Sequence, residues 1–247
     1  MFMEKEWNNF IDFLNGKNEK LVKLSKEIKY IIVAGDLVDG VGVYPNQELD
    51  LKILLLSEQY KIAGEYFKKI PSSIKIIIAP GNHDGVRKAE PQPSLKKKYG
   101  NYFPENVVFV SNPSLITIDK IPILIYHGCS IDDLVSEINN VTYKKPTSGM
   151  KEMIIKRHLC PIYGKKTIIA PEKKVYMVIE KIPQIFHCGH IHTLGIDRYK
   201  NVTLINSGTW QSQTNFQKKV NIIPEPAKVP ILNLENGKIC IINFNIE

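Results

Sequence analysis

Short apolar runs that stop at glycine and polar residues dominate the hydrophobic pattern of this chain. Clear examples are "YIIVAGD" (30–36), "IKIIIAPGNHD" (74–84) and "ILIYHG" (123–128). Strands buried on both faces appear in a sequence as continuous β-branched runs rather than as an alternating pattern. We therefore predict strands that end at these polar turns, with further strands at 107–110, 115–118 and 184–188.

Apolar positions at helical spacing alternate with the early strands. They predict helices over 4–27, where Trp7 and Phe10 share one face, and over 46–69, 130–139 and 148–159. The later chain is mostly strands, with hairpins turning at Lys200-Asn201 and Asn236-Gly237. Together these elements predict an α/β sandwich, with two mixed β-sheets flanked by helices, rather than a doubly wound parallel sheet. No repeat or long linker divides the chain, so we predict one domain, 1–247.

Bulk composition narrows the class of protein. With 247 residues, 43% of them hydrophobic and 23% charged, the chain can bury a substantial core. No run of eighteen apolar residues is present, and "MFMEKEWNNF" lacks the layout of a secretory signal, so we predict a cytoplasmic protein without a membrane partner. The net charge of +8 fits a polyanionic partner but does not identify one. The four cysteines are scattered, which argues against a zinc site built from cysteine alone.

Four polar clusters stand where the predicted strands end: "GDLVD" (35–39), "GNHD" (81–84), "YHG" (126–128) and "CGHIH" (188–192). Each alone has a plain structural reading, as a cap, a turn or a packed histidine. Their combination favours a ligand site, because loops at strand ends collect functional side chains. Mixed oxygen and imidazole donors suit manganese, iron or zinc in five- or six-coordinate geometry.

This order of clusters resembles the signature of the calcineurin-like metallophosphoesterases, D-x-H, G-D-x-x-D, G-N-H-[DE], H and G-H-x-H. The last four pieces are present at 35–39, 81–84, 127 and 189–192. A narrower resemblance, to the small exonuclease subunits of archaeal family-D DNA polymerases, runs from about residue 30 to the C-terminus. It rests on the blocks "VRKAEPQPSL", "IYHGCSIDDL", "KRHLCPIYGKKTIIAPEK" and "LINSGTWQSQTNFQKKVNI". The resemblance implies the metallophosphoesterase sandwich as the fold.

The resemblance also implies a role for each residue of the motifs. Asp36 is similar to the carboxylate that bridges two metal ions, and His192 to a ligand of the first. The resemblance makes His83 the catalytic histidine that faces the phosphate, with Asp84 orienting it. The remaining ligands of the second metal would be Asn82, His127 and His190.

One piece of the family pattern, D-x-H, is missing from this sequence. Upstream of Asp36 there is no histidine, and the only aspartate is Asp12, most simply a solvated residue of a helix. In the family, D-x-H lies on a strand just before such a helix. We therefore expect a domain that is incomplete at its N-terminus and lacks the first strand of the fold. We also expect one well-bound metal, one poorly bound metal and reduced nuclease activity.

Three functions remain open at this point. The resemblance favours a proofreading 3′-5′ exodeoxyribonuclease that uses two divalent ions, manganese above all. Its expected partners are the large polymerase subunit, DNA with a 3′ end and the sliding clamp. The alternatives are a non-catalytic scaffold that holds the large subunit, and a phosphoesterase with another substrate. Costly polar groups gathered at one locus argue against the scaffold.

For three further residues the sequence is compatible with either a structural or a functional role. For His187 a packed or hydrogen-bonded histidine is favoured over a third ligand of the "CGHIH" cluster. His158 is favoured as a helix-end residue, with contact to DNA or the large subunit as the alternative. Trp210 is as compatible with a DNA or subunit contact as with core packing.

Overall fold

Two β-sheets share an apolar interior in the computed structural model, which describes residues 2–214, 217–218 and 223–245. The strands are β1 (Tyr30–Ala34), β2 (Lys75–Ala79), β3 (Val107–Phe109), β4 (Ser114–Ile118), β5 (Ile121–Ile125), β6 (Ile185–Cys188), β7 (Leu194–Tyr199), β8 (Val202–Ser207), β9 (Lys228–Leu232) and β10 (Ile239–Asn243). One sheet has the order β1-β2-β3 and is parallel throughout. The other has the order β4-β5-β6-β8-β7 and is mixed, with β5, β6 and β8 parallel.

Helices cover the outer faces of both sheets. They are α1 (Glu4–Leu14), α2 (Val22–Glu27), α3 (Leu56–Lys68), α4 (Lys96–Tyr99), α5 (Ile131–Glu137) and α6 (Pro146–Lys156). Strand β2 packs against a different layer on each of its faces, because successive side chains of a strand point to opposite sides. Ile76 and Ile78 pack with residues of α1 and α3, whereas Ile77 packs against strands of the five-stranded sheet. On the far side, α5 and α6 pack against that sheet around Phe186.

The layers therefore run helices, sheet, sheet, helices, which confirms the predicted α/β sandwich. The five-stranded sheet is mixed as expected. Its partner was also predicted to be mixed, but it is parallel because β1, β2 and β3 are joined by crossovers. A separate antiparallel pair, β9–β10, turns at Asn236-Gly237 as predicted, with Gly237 at φ +70°. The hairpin β7–β8 likewise turns at Lys200-Asn201.

Two long helices expected from the sequence are interrupted. The chain leaves α1 at Asn15 and passes through Gly16 at φ +74°, so 4–27 forms two helices rather than one. Of 46–69, only α3 and a 3₁₀ turn over Gln47–Leu49 are helical. The intervening backbone is held in another way, because the Gln59 side chain donates to the Ile53 carbonyl at 2.8 Å.

The half-exposed Asp12 of α1 pairs with Lys17 at 2.8 Å, as expected for a solvated helix face. Within the part of the chain that the structure describes, no helix combines the length and apolar character needed to cross a membrane.

Candidate metal centre

Four strands bring polar side chains to one edge of the sandwich. Asp36 follows β1 and Asn82 follows β2, both in the parallel sheet; His127 follows β5 and His190 follows β6, both in the mixed sheet. The side chains of the other three residues approach one imidazole nitrogen, Nε2 of His127. His127 Nε2 lies 2.9 Å from Asn82 Oδ1, 3.2 Å from His190 Nδ1 and 3.3 Å from Asp36 Oδ2. The structure thus brings together four of the five ligands expected from the sequence.

The spacing of these four atoms fits a divalent metal ion. Metal–ligand bonds of roughly 2.1 Å place neighbouring donors about 3.0 Å apart in an octahedron and about 3.4 Å apart in a tetrahedron. The three separations from His127 Nε2, 2.9, 3.2 and 3.3 Å, lie close to these values. One carboxylate, one amide oxygen and two imidazoles form a donor set that suits manganese, iron or zinc.

Outer contacts aim both imidazoles at this point. His127 Nδ1 lies 2.6 Å from the Ala34 carbonyl and donates a hydrogen bond to it. In the neutral ring this leaves the lone pair of Nε2 available to a metal ion. His190 Nε2 lies 3.3 Å from Asp132 Oδ2, so its Nδ1 faces His127. Contacts of this kind set the tautomer and orientation of histidine ligands.

The Asp36 carboxylate and the His127 imidazole are an electrostatic pair. Burial raises the pKa of Asp36, but the charges and hydrogen bonds of His127 and His83 outweigh it and hold that pKa well below its usual range. Burial lowers the pKa of His127, but the Asp36 charge and hydrogen bond outweigh it and raise that pKa to about 9. Asp36 Oδ1 also accepts from the His83 amide at 2.9 Å, so one carboxylate oxygen is fixed while Oδ2 faces the centre.

A buried polar network supports the centre from behind. Asn112 accepts from the His127 amide at 2.8 Å and donates to Gln92 Oε1 at 2.7 Å. Gln92 in turn donates to the Gly81 carbonyl at 3.1 Å, beside Asn82. Sequence reasoning missed this role, although the signal was present: Gln92 is a polar residue between two prolines in the "AEPQP" block.

Tyr126 extends that network, and its hydroxyl gives a stability prediction. The fully buried hydroxyl donates to Glu90 Oε2 at 2.8 Å and accepts from the Ser130 amide at 3.2 Å. Replacing Tyr126 by phenylalanine leaves both partners short of a bond, which costs about 1–3 kcal/mol for buried groups. Urea unfolding measures the loss. Tyr163→Phe, at a side chain 90% exposed, is the control and should change stability by less than about 0.5 kcal/mol; equal effects would contradict the prediction.

Asp84 has a different role from the one expected. Its buried carboxylate accepts from the Tyr60 hydroxyl at 2.7 Å, from the Gly81 amide at 2.8 Å and from the Leu37 amide at 3.3 Å. With its oxygens engaged in these bonds, Asp84 fixes the two loops that carry Asp36 and Asn82. The prediction that it orients the His83 ring is therefore wrong. Burial and the Asp36 charge raise its pKa to about 6.

The partner of the His83 ring is a backbone carbonyl. His83 Nδ1 lies 2.7 Å from the Asp39 carbonyl, and its Nε2 points toward Asp36 Oδ2 at 4.0 Å. His83 is thus beside the four donors without being one of them, and its side chain is partly exposed. Asp39 contributes its carbonyl here, while its side chain accepts from Gln211 at 3.2 Å.

His192, the fifth expected ligand, makes its contact elsewhere in this structure. Its Nδ1 lies 2.7 Å from Gln217 Nε2, and burial lowers its pKa to about 4. Gln217 belongs to the "LINSGTWQSQTNFQKKVNI" block, of which residues 215, 216 and 219–222 lie outside the described part of the chain. His187 is buried on β6, where burial also lowers its pKa to about 4, and is not among the converging donors.

Cys129 is a neighbour of the centre that the sequence analysis did not single out. Its Sγ lies 3.7 Å from Asn82 Oδ1. One ligand atom each of His127, Cys129 and His190 lies within 4.8 Å of the others. Burial raises the pKa of its thiol well above the usual value, and the charges of Glu90 and Asp36 add to this. The signal in the sequence was its place, two residues after His127.

Trp210 and His158 both contact other residues of the described chain. The Trp210 ring packs against Trp7 and Phe10 with centroid distances of 5.0 and 5.3 Å, which favours core packing. His158 lies beyond the end of α6 and accepts from the Cys160 amide at 3.0 Å.

Curated relatives match almost the whole chain. It is 50% identical over 232 residues to the DNA polymerase II small subunit of Archaeoglobus fulgidus, covering 93% of this chain and 48% of that protein. It is 50% identical over 236 residues to the DNA polymerase II small subunit of Methanocaldococcus jannaschii, covering 94% and 40%. The chain therefore spans about half the length, or less, of these relatives.

A solved structure described as a novel archaeal phosphodiesterase is also similar, with a TM-score of 0.45 and 16% identity over 91% of this chain and 89% of that one. The family model for the B subunits of DNA polymerases alpha and epsilon matches residues 3–194, which include all four strand-end clusters. This chain belongs to the family of DNA polymerase alpha/epsilon B subunits.

Proposed function

We propose that this chain is the phosphoesterase part of the small subunit of an archaeal replicative DNA polymerase, and that it removes nucleotides from the 3′ end of DNA. Its relatives named DNA polymerase II small subunit support the polymerase assignment. The observation that carries the hydrolytic activity is the convergence of Asp36, Asn82 and His190 on His127 Nε2. Partners in this proposal are the large subunit, the DNA 3′ end and the sliding clamp.

The chain's own residues have separable tasks in this reaction. Asp36, Asn82, His127 and His190 would hold a divalent ion, manganese in this proposal, with Asp36 and His192 serving a second. Bound divalent ions supply positive charge that stabilises the phosphodiester oxygens and activates water. The neutral amide of Asn82 limits the negative charge at a site that must accept a phosphate.

His83 is the proton donor in this proposal. The Asp39 carbonyl fixes Nδ1 as the protonated nitrogen of the neutral ring, and Nε2 points toward Asp36. A protonated Nε2 there can donate to a phosphate oxygen or to the leaving 3′ oxygen. Positioned general acids contribute about 10²- to 10⁴-fold to rates.

The test uses a primer–template with a mispaired 3′ end, a 5′ label and manganese, with the chain alone and with its large subunit. Stepwise release of mononucleotides from the 3′ end, abolished by EDTA, is the expected result. His83→Gln should lower the rate about 10²-fold or more without changing manganese affinity. His158→Gln is the control, because His158 lies beyond α6 and contacts Cys160. EDTA-resistant release, or association with the large subunit without any cleavage, would overturn the proposal; the latter favours a scaffold.

A further inference from the structure

A cysteine stands among the donors of the candidate metal centre. Cys129 Sγ lies 3.7 Å from Asn82 Oδ1, and it belongs with His127 and His190 to a group whose ligand atoms all lie within 4.8 Å of one another. Metal bonds of about 2.3 Å to sulfur and about 2.1 Å to oxygen put these two atoms about 3.6 Å apart in a tetrahedron. The sulfur is therefore already placed at a ligand's distance from Asn82.

The backbone around Cys129 is held in a sharp, hydrogen-bonded turn. Gly128, at φ +114°, lets the chain turn sharply between His127 and Cys129, and α5 begins two residues later at Ile131. The turn is pinned at both ends. The His127 carbonyl accepts from the His190 amide at 2.8 Å, and the Gly128 carbonyl accepts from the Ile131 amide at 3.0 Å. The loop that carries Cys129 is thus tied to the His190 backbone on one side and to the start of α5 on the other.

We propose that the Cys129 sulfur joins His127 and His190 as a ligand when a thiophilic divalent ion such as zinc or cobalt occupies this centre. The inference rests on the proposed function only in assuming that the centre binds a metal. The S–H bond breaks as the sulfur–metal bond forms, and the proton passes to solvent. Manganese and magnesium prefer oxygen ligands, whereas thiolates select zinc-class ions. Cys129 thereby determines which ion the centre retains. The two imidazoles bind the ion in either case, whether it is manganese or zinc.

Cobalt(II) titration of the EDTA-treated full chain tests this directly, because two spectral features report separate events. Visible d–d bands report that cobalt is bound, and a near-ultraviolet sulfur-to-cobalt charge-transfer band reports a thiolate ligand. We expect both in the wild type. In Cys129→Ser we expect the d–d bands to remain and the charge-transfer band to vanish. Cys240→Ser, at an exposed cysteine, should keep both.

Competition between zinc and manganese gives a second readout. We expect Cys129→Ser to reduce zinc affinity at least about tenfold while manganese affinity changes little, comparable to the effect of losing a supporting contact at a metal site. Far-UV circular dichroism shows whether the variant is folded. If it is not, the wild-type cobalt spectrum still tests for a thiolate ligand. Visible bands without a charge-transfer band in the wild type would overturn the Cys129 ligand and leave the metal centre intact. The absence of both bands would overturn the metal centre as well.

Discussion

Replacing Asp36 by asparagine should reduce metal-dependent cleavage by at least about 10²-fold. The carboxylate is the only anion among the three side chains that converge on His127 Nε2, and it faces that nitrogen at 3.3 Å. Charge stabilisation at a metal site is worth several kcal/mol, and each 1.4 kcal/mol is about tenfold in rate or affinity. Manganese affinity, measured by calorimetry, should fall together with the rate of mononucleotide release.

Asparagine is a fair test of the charge, because its oxygen can still accept from the His83 amide that Asp36 Oδ1 binds at 2.9 Å. The matched control is Asp12→Asn, which removes a half-exposed carboxylate of α1 that pairs with Lys17. It should leave affinity and rate unchanged. If Asp36→Asn binds manganese as tightly as Asp12→Asn does, the charge of Asp36 contributes nothing to metal binding.

Replacing Gly35 by alanine should destabilise the fold by at least about 2 kcal/mol and disrupt the metal centre with it. Gly35 has φ +95°, and an added Cβ would meet the Gly81 Cα at 2.7 Å as well as the His127 imidazole. Positive φ at a residue with a side chain costs about 1–3 kcal/mol, and overpacking costs about as much again. Urea unfolding gives the stability, and calorimetry gives the manganese affinity of the folded protein.

Gly237→Ala separates the two costs. Gly237 also has a positive φ, +70°, but no heavy atom lies within 4 Å of the position that its Cβ would take. The loss of stability in Gly237→Ala should therefore come from the positive φ alone, and metal binding should be unaffected. Equal destabilisation in the two variants would show that the close approach of Gly35 to His127 contributes nothing.

The sequence was most informative where local chemistry and local pattern coincide. A buried strand that ends in a polar turn is visible in the sequence, and the family resemblance carried by four such ends implied that Asp36, Asn82, His127 and His190 meet. The helix over 4–27 failed because one residue, Gly16 at φ +74°, redirects the chain, and apolar periodicity does not register a single backbone angle.

The contacts around the centre could not be predicted, because they join residues far apart in the chain. Asp84 appeared to be a partner for its neighbour His83, yet its hydroxyl donor is Tyr60, 24 residues away on α3. Asn112 reaches the His127 amide only because β5 and the loop after β3 lie side by side in the fold. A motif supplies the residue types, whereas the direction in which each side chain points depends on tertiary neighbours.

The centre takes half of its donors from each sheet, so a bound ion would connect the two sheets. Asp36 and Asn82 leave the parallel sheet, and His127 and His190 leave the mixed one. An ion held by all four would act as a thermodynamic cross-link between the two layers, absent from the unfolded chain. At a free concentration about 100 times its dissociation constant, such an ion adds about 2.7 kcal/mol to the free energy of unfolding. Sliding or separation of the two layers would then require release of the ion.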